Sequence, residues 1–395
     1  MGQEWISDAK TVGIIGGGPA GCICARYLCN NNADVTIFDK GKFLRTILPT
    51  GGGRCNLANA QYDFKELAKY YPRGEKFLYS VFSQFDTQST IDFFKSIGVD
   101  TYVQEKDNRI FPKSDSSADV REKLLKSLDC KFINEEITNI SIDKNKYVLK
   151  NIFGKEYSFD YLVIAIGGHS SFGFINNLGI KIVPLEQSLV GFLTKDNYNE
   201  IAGVSLKNVS AFVDKKVFSG DVLFTHKGIS GPLIYEISSV YARKDLPFCI
   251  TLQLVSDIDL QKVLNENPHK DIKNILGQYI PKSLAEYILK KLEIMPEMKA
   301  SAVNSKIRDV IVDNLQRFNV YVIKKFPEGE IVTCGGVDLN EINSKTMESK
   351  LLPNLYFCGE VLDIDGFCGG FNLQNCWSTG YVAAKSIIEK LNHCS

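Results

Sequence analysis

The run Thr11-Val12-Gly13-Ile14-Ile15, followed by Gly16-Gly17-Gly18-Pro19-Ala20-Gly21, constrains this chain more than any other feature in it. The apolar, β-branched stretch reads as a strand, the glycines as a tight turn, and the residues from about Gly18 to Cys29 as an apolar-periodic helix. Gly16 takes the turn, Gly18 lets backbone approach a ligand with no Cβ between them, and Gly21 lets helix and strand pack closely. A helix that opens with Pro19 and Ala20 leaves its first N–H groups unpaired. That end carries roughly half a positive charge, which stabilises an anion by about 0.3–2 kcal/mol.

The next strand, Asp34 to Phe38, ends on Asp39 with Lys40 beside it. A carboxylate there can accept hydrogen bonds from both ribose hydroxyls of an adenosine and would repel a 2′-phosphate, which points to FAD or NAD rather than NADP. Shortly after comes Gly51-Gly52-Gly53-Arg54-Cys55-Asn56-Leu57-Ala58-Asn59. Three glycines admit a flat ligand, and Arg54 with the amides of Asn56 and Asn59 supplies donors and acceptors at its edge. A flavin ring is the natural candidate. Near the C-terminus Asn354 to Glu360, then Asp363, Gly366 and Gly369-Gly370-Phe371-Asn372-Leu373-Gln374, gives a second strand, glycine turn and helix, running to about Leu391.

In this order these motifs resemble the BaiN-like (YhiN-like) NAD(P)/FAD-dependent oxidoreductases, a family that includes aminoacetone-oxidase-like flavoproteins. The likeness extends through Asn108-Arg109-Ile110-Phe111-Pro112, Ala165-Ile166-Gly167-Gly168, Phe224 to Pro232, Gly335-Gly336-Val337 and Thr346 to Lys350, so it covers nearly the whole chain. It implies an α/β fold: a glutathione-reductase-type FAD-binding Rossmann domain with an inserted β-barrel-like plus helical domain. It further implies that backbone near Ile137 meets the adenine and that Ala165, Gly167 and Gly168 lie close to the cofactor. Gly359 and Glu360 would then lie near the ribityl chain, with the helix end at Gly370, Phe371, Asn372 and Leu373 facing the flavin. The chain departs from the family pattern at Ile166, which replaces a threonine, and at Cys368 and Phe371, where threonine and tyrosine are expected. The loop after Gly168 is short.

At 395 residues, two domains or one with an insertion are expected. The pattern divides as residues 1–187, an inserted segment 188–332 that is β-rich and then helical, and a return segment 333–395. The insertion would sit over the flavin as a lid or substrate wall. The 46 basic and 46 acidic residues cancel, which argues against a nucleic-acid partner and leaves a small-molecule substrate as the expectation. Lysine clusters such as Lys270, Lys273, Lys290 and Lys291 read as solvated helix faces. No run approaches the roughly 18 apolar residues that span a bilayer, and residues 1–10 do not read as a signal peptide. The 11 cysteines, odd in number and without zinc-type spacing, suggest mostly buried thiols in a reducing cytoplasm, with no metal site. Oligomeric state is not legible.

For chemistry the candidates are His226, Arg54 and Cys55. His226, just before Ser230-Gly231-Pro232, read as a helix N-cap and first turn, could protonate a substrate or simply belong to a tight turn. His169 is a similar candidate. Arg54 and Arg109 could clamp an anion or the flavin edge. Cys55 and Cys368 could face the flavin, as packing residues or as thiols. No Cys-x-x-Cys lies near the first turn, and there is no second Rossmann fingerprint, so a nicotinamide would bind transiently. The leading reading is an NAD(P)H-driven reductase passing hydride through flavin N5 to a small organic substrate. Alternatives are an aminoacetone-oxidase-like amine oxidase using dioxygen, and an FAD-containing redox-sensing or tRNA-associated binding protein.

Overall fold

β1 (Thr11–Ile15) occupies the centre of a five-stranded sheet because almost every residue in it is apolar and both faces can be covered. In the computed structural model, which describes residues 10–168, 172–328 and 332–393, β1 pairs in parallel with β2 (Asp34–Phe38) on one side. On the other it pairs in parallel with β4 (Tyr161–Ile164). β3 (Lys131–Ile133) extends the sheet beyond β2, and β5 (Leu355–Phe357) extends it beyond β4, both in parallel. Val12, Ile14, Leu162, Val163 and Phe357 have no solvent exposure, the expected result when a parallel sheet is covered on both faces. β5 joins two distant parts of the sequence: Leu355 pairs with Leu162, so the C-terminal segment completes the sheet begun at Thr11.

Helix α1 (Pro19–Cys29) packs along α2 (Phe371–His393). The second helix buries Trp377, whose indole donates to Leu57 O at 2.9 Å. An antiparallel meander, Ile137–Asp143, Lys146–Asn151 and Glu156–Phe159, lies between β3 and β4 in the chain. Further along, Thr101–Gln104 and Arg109–Pro112 form a hairpin joined through Asn108, which is in the left-handed region at φ 55°. Ala58–Asn59 adds to this hairpin as a third strand.

The chain divides into two compact units: one runs to Glu186 and resumes at Thr333, the other is Gln187–Val332. The second unit contains a closed barrel. Its strands, in spatial order, are Phe192–Thr194, Gly228–Ser230, Lys216–Thr225, Ser205–Val213, Phe248–Gln253 and Phe318–Lys325, the last pairing back to the first. Tyr198, Phe224 and Phe318 are buried against one another in this unit. The expected barrel-plus-helix architecture is therefore present. The helical stretch is four separate helices, Leu260–Glu266, Ile272–Leu276, Lys282–Lys291 and Ser305–Gln316, with Pro268, Pro281 and Pro296 between them. Its lysines pair with acids: Lys273 with Glu297 at 2.8 Å and Lys290 with Glu200 at 2.7 Å. No described helix is long and apolar enough to cross a membrane.

One local expectation is corrected. Ser230 is not a helix N-cap, because its pairing with Leu223 makes it the last residue of a barrel strand. Gly231, at φ 102°, caps the helix Pro232–Val240 without a side-chain hydrogen bond.

Candidate dinucleotide cofactor site

The first glycine turn is built by contacts that leave no room for side chains. A Cβ on Gly16 would lie 2.2 Å from Ala165 O, and one on Gly21 would lie 2.0 Å from Gly16 O. Gly18, by contrast, faces open space, with no atom within 4 Å of where its Cβ would be. It caps α1 with no side-chain hydrogen bond, Pro19 takes the first helical position, and the first turn carries no acid. The N–H groups there are left for an anion, and the local field favours one.

Asp39 organises the adjoining turn. One carboxylate oxygen accepts Gly17 N–H at 2.8 Å and the other accepts Gly41 N–H at 2.7 Å. The Asn134 amide donates to Asp39 O at 2.8 Å and to Gly41 O at 2.7 Å, fixing the turn from β3's side. Each carboxylate oxygen has a second lone pair for a ribose hydroxyl. A cavity of about 490 Å³ opens beside these groups. Its walls include Gly16, Gly18, Pro19, Ala20, Asp39, Lys40, Ile137, Ala165, Gly167 and Glu360. Sequence reasoning missed the other charged residues on the wall: Lys42 and Arg45, from the loop after Asp39, and Glu135 and Glu136, which precede Ile137. The basic pair follows Asp39 so closely that its spacing could have signalled it. Burial, with Asp365 as the second cause, pushes the Glu360 carboxyl up to about 7.

The second glycine loop and the C-terminal turn meet in the same unit. Gly51, Gly52 and Gly53 all adopt positive φ, at 59°, 70° and 87°. With its amide turned so that nitrogen faces Ala58 O, Asn56 donates to that carbonyl at 3.0 Å and accepts Gly370 N–H at 2.9 Å. Asn59 donates to Gly369 O at 3.2 Å. A Cβ on Gly370 would lie 2.4 Å from Ala58 O, so only glycine permits this approach. Phe371 opens α2 with its ring stacked on Tyr70 at 4.3 Å, and Tyr71 OH donates to Phe371 O at 2.6 Å. Asn372 exchanges hydrogen bonds with Gly366 at 2.8 Å, and Leu373 is half-buried. Gly359 N–H donates to Thr379 Oγ1 at 2.9 Å, while Gly168 packs toward Thr333 and Glu360 O. None of these loop residues lines the large cavity; they form the adjoining part of the unit.

The chemical candidates fare differently. Arg54 donates to Gly51 O at 3.2 Å and to Gln104 Oε1 at 3.2 Å, with its guanidinium 3.9 Å from the Phe111 ring centre. It is half-buried and held in place. Cys55 is fully buried and burial pushes its thiol up to about 12, so it supplies no thiolate at neutral pH. Cys368 is half-buried, and burial pushes its thiol up to about 11 despite Arg109 nearby. Arg109 pairs with Asp107 at 3.0 Å. His226 belongs to the other unit, exposed in the turn between barrel strands, where Thr225 Oγ1 accepts Gly228 N–H at 3.1 Å. His169 lies outside the described residues.

An uncapped helix end, a carboxylate with free lone pairs and a second glycine-lined helix start within one Rossmann unit define the class: the protein is an FAD-dependent oxidoreductase. Residues 10–386 match the HI0933-like protein Rossmann domain, and the chain belongs to that family, as its resemblance to the BaiN-like (YhiN-like) proteins implied. It is 31% identical over 399 residues to the ribosomal RNA dihydrouridine synthase of Escherichia coli, covering 95% of this chain and 97% of that one. It is 27% identical over 413 residues to the 3-dehydro-bile acid delta(4,6)-reductase of Clostridium scindens, covering 96% and 99%. Among solved structures, 3-ketosteroid delta1-dehydrogenase from Sterolibacterium denitrificans shares the fold, with a TM-score of 0.52 at 11% identity, covering 97% of this chain and all of that one.

Proposed function

We propose that this protein reduces a carbon–carbon double bond conjugated to a carbonyl, with electrons from NADH or NADPH, and that its substrate is a uracil ring in ribosomal RNA. The observation that carries the reading is the end-to-end similarity to two reductive relatives: one is named for forming dihydrouridine, the other for a delta(4,6) reduction. Both names describe saturation of such a bond. The zero net charge weighed against nucleic acid, but it is an average over 46 cations and 46 anions and does not exclude a local RNA-binding surface.

Bound FAD would supply the hydride chemistry. The chain's own residues bind and orient. Gly18 and the start of α1 would hold the pyrophosphate, and Asp39 the adenosine ribose. The opening of α2 at Gly370 would place a positive helix end near the flavin ring, favouring negative charge there. Arg54, locked over Phe111, would offer a fixed cation at the ring's edge. Incubating the flavin-loaded protein with unmodified ribosomal RNA and either nicotinamide should yield nucleosides two mass units heavier than uridine. RNA that stays unchanged while a small conjugated enone is reduced would move the substrate to the small-molecule class.

A further inference from the structure

Two cysteines far apart in sequence meet at the base of the flavin-binding unit. Helix α1 ends on Cys29. As the crossover between parallel strands β1 and β2, it runs back against them, so its C-terminus lies at the edge where the strands begin. Cys130 immediately precedes β3, which is parallel to β2 and therefore starts at that same edge. The Cys29 and Cys130 side chains are neighbours there, close enough for each to shift the other's ionisation. Both are half-buried, whereas Cys22, Cys24, Cys55, Cys334, Cys358 and Cys376 are sealed in the interior.

We propose that Cys29 and Cys130 are a modification site: exposed to hydrogen peroxide, they form a reversible intramolecular disulfide. Cys29 is the attacking sulfur. The Cys130 S–H first, and then the Arg26 guanidinium and the Asp129 backbone N–H, favour its thiolate over burial and the Asp129 carboxylate, and Cys130 correspondingly holds its proton. The Cys29 thiolate attacks one peroxide oxygen, forming an S–O bond as the O–O bond breaks, and hydroxide leaves and takes up a proton. The Cys130 sulfur then attacks the sulfenic sulfur, giving its proton to the departing oxygen; the S–S bond forms, the S–O bond breaks and water leaves. Two thiols lose two electrons in all and one peroxide becomes two waters. Because the end of α1 and the start of β3 lie at the same edge of the sheet with the two thiols as neighbours, an S–S bond of about 2.05 Å can close by movement of these segment ends alone. The link would tie α1 to β3. The far ends of these elements are Gly18 and Ile133, the latter accepting Asp39 N–H at 3.1 Å, so both reach the cofactor turn.

The test treats the flavin-loaded protein with a slight excess of hydrogen peroxide, blocks remaining thiols with iodoacetamide, and maps unreduced peptides by mass spectrometry. The expected result is that free thiols fall from 11 to about nine. A Cys29–Cys130 peptide pair should appear and vanish with dithiothreitol. In Cys130→Ser the same treatment should leave Cys29 as a sulfenic acid trapped by dimedone, with no cross-link. Cys29 and Cys130 both still alkylated in the treated wild type, or oxidation falling on Cys249 and Cys368 instead, would overturn the proposal even if the variant fails to fold.

Discussion

Replacing Glu360 by glutamine should change how the flavin-free protein responds to pH. Burial raises this carboxyl from 4.5 to about 7 in the folded protein, with Asp365 adding to the effect. A group raised on folding contributes its full share of stability below its unfolded value, and that share is lost as pH climbs through the folded value. At about 1.4 kcal/mol per tenfold, the full loss is roughly 3 kcal/mol, of which roughly 2 kcal/mol falls between pH 5.5 and pH 8. The side chain's partial exposure to the cavity makes this an upper bound. Trp377, buried in the same unit, provides a fluorescence signal for urea unfolding of the flavin-free protein. The wild type should lose stability relative to Glu360→Gln as pH rises from 5.5 to 8, and the glutamine variant should be the more stable at pH 8. Parallel pH profiles for the two proteins would refute the assignment of a raised carboxyl at this wall.

Gly21→Val should abolish flavin retention, because its side chain would start 2.0 Å from Gly16 O and force helix from strand; the flavin-to-protein absorbance ratio after gel filtration reads this directly. Asp39→Ala removes acceptors for both Gly17 N–H and Gly41 N–H, and titration with FAD should show affinity reduced about 10- to 100-fold with the circular dichroism spectrum unchanged. Trp377→Phe leaves Leu57 O without its buried donor and should cost about 1–3 kcal/mol, visible as a lower unfolding temperature.

The first glycine turn was legible because its geometry is local. Gly16, Gly18, Gly21 and Asp39 lie on one strand–turn–helix and the strand that follows it, so spacing alone brings them together. The pairing of Asn56 with Gly370 was visible only as two separate glycine-rich runs; that they touch follows from β5 joining β4, which no local pattern states. Glu135 and Glu136 reach the cavity because β3 ends beside Asp39, and they look like ordinary surface acids in the sequence. Ser230 was misread because Ser-Gly-Pro mimics a helix start, while tertiary pairing with Leu223 holds it in a strand. Closure of the barrel was similarly hidden: Phe318–Lys325 follows four helices and returns to Phe192–Thr194. The meeting of Cys29 with Cys130 is long-range in the same way, and counting cysteines could not reveal it.

The most direct measurement follows the flavin band of the purified protein anaerobically, first with NADH or NADPH and then with unmodified ribosomal RNA. The expected result is bleaching by a nicotinamide, followed by return of the band as uridine is converted to dihydrouridine. A flavin that neither nicotinamide bleaches, or a reduced flavin reoxidised only by dioxygen, would contradict a reductase acting on a carbon–carbon double bond.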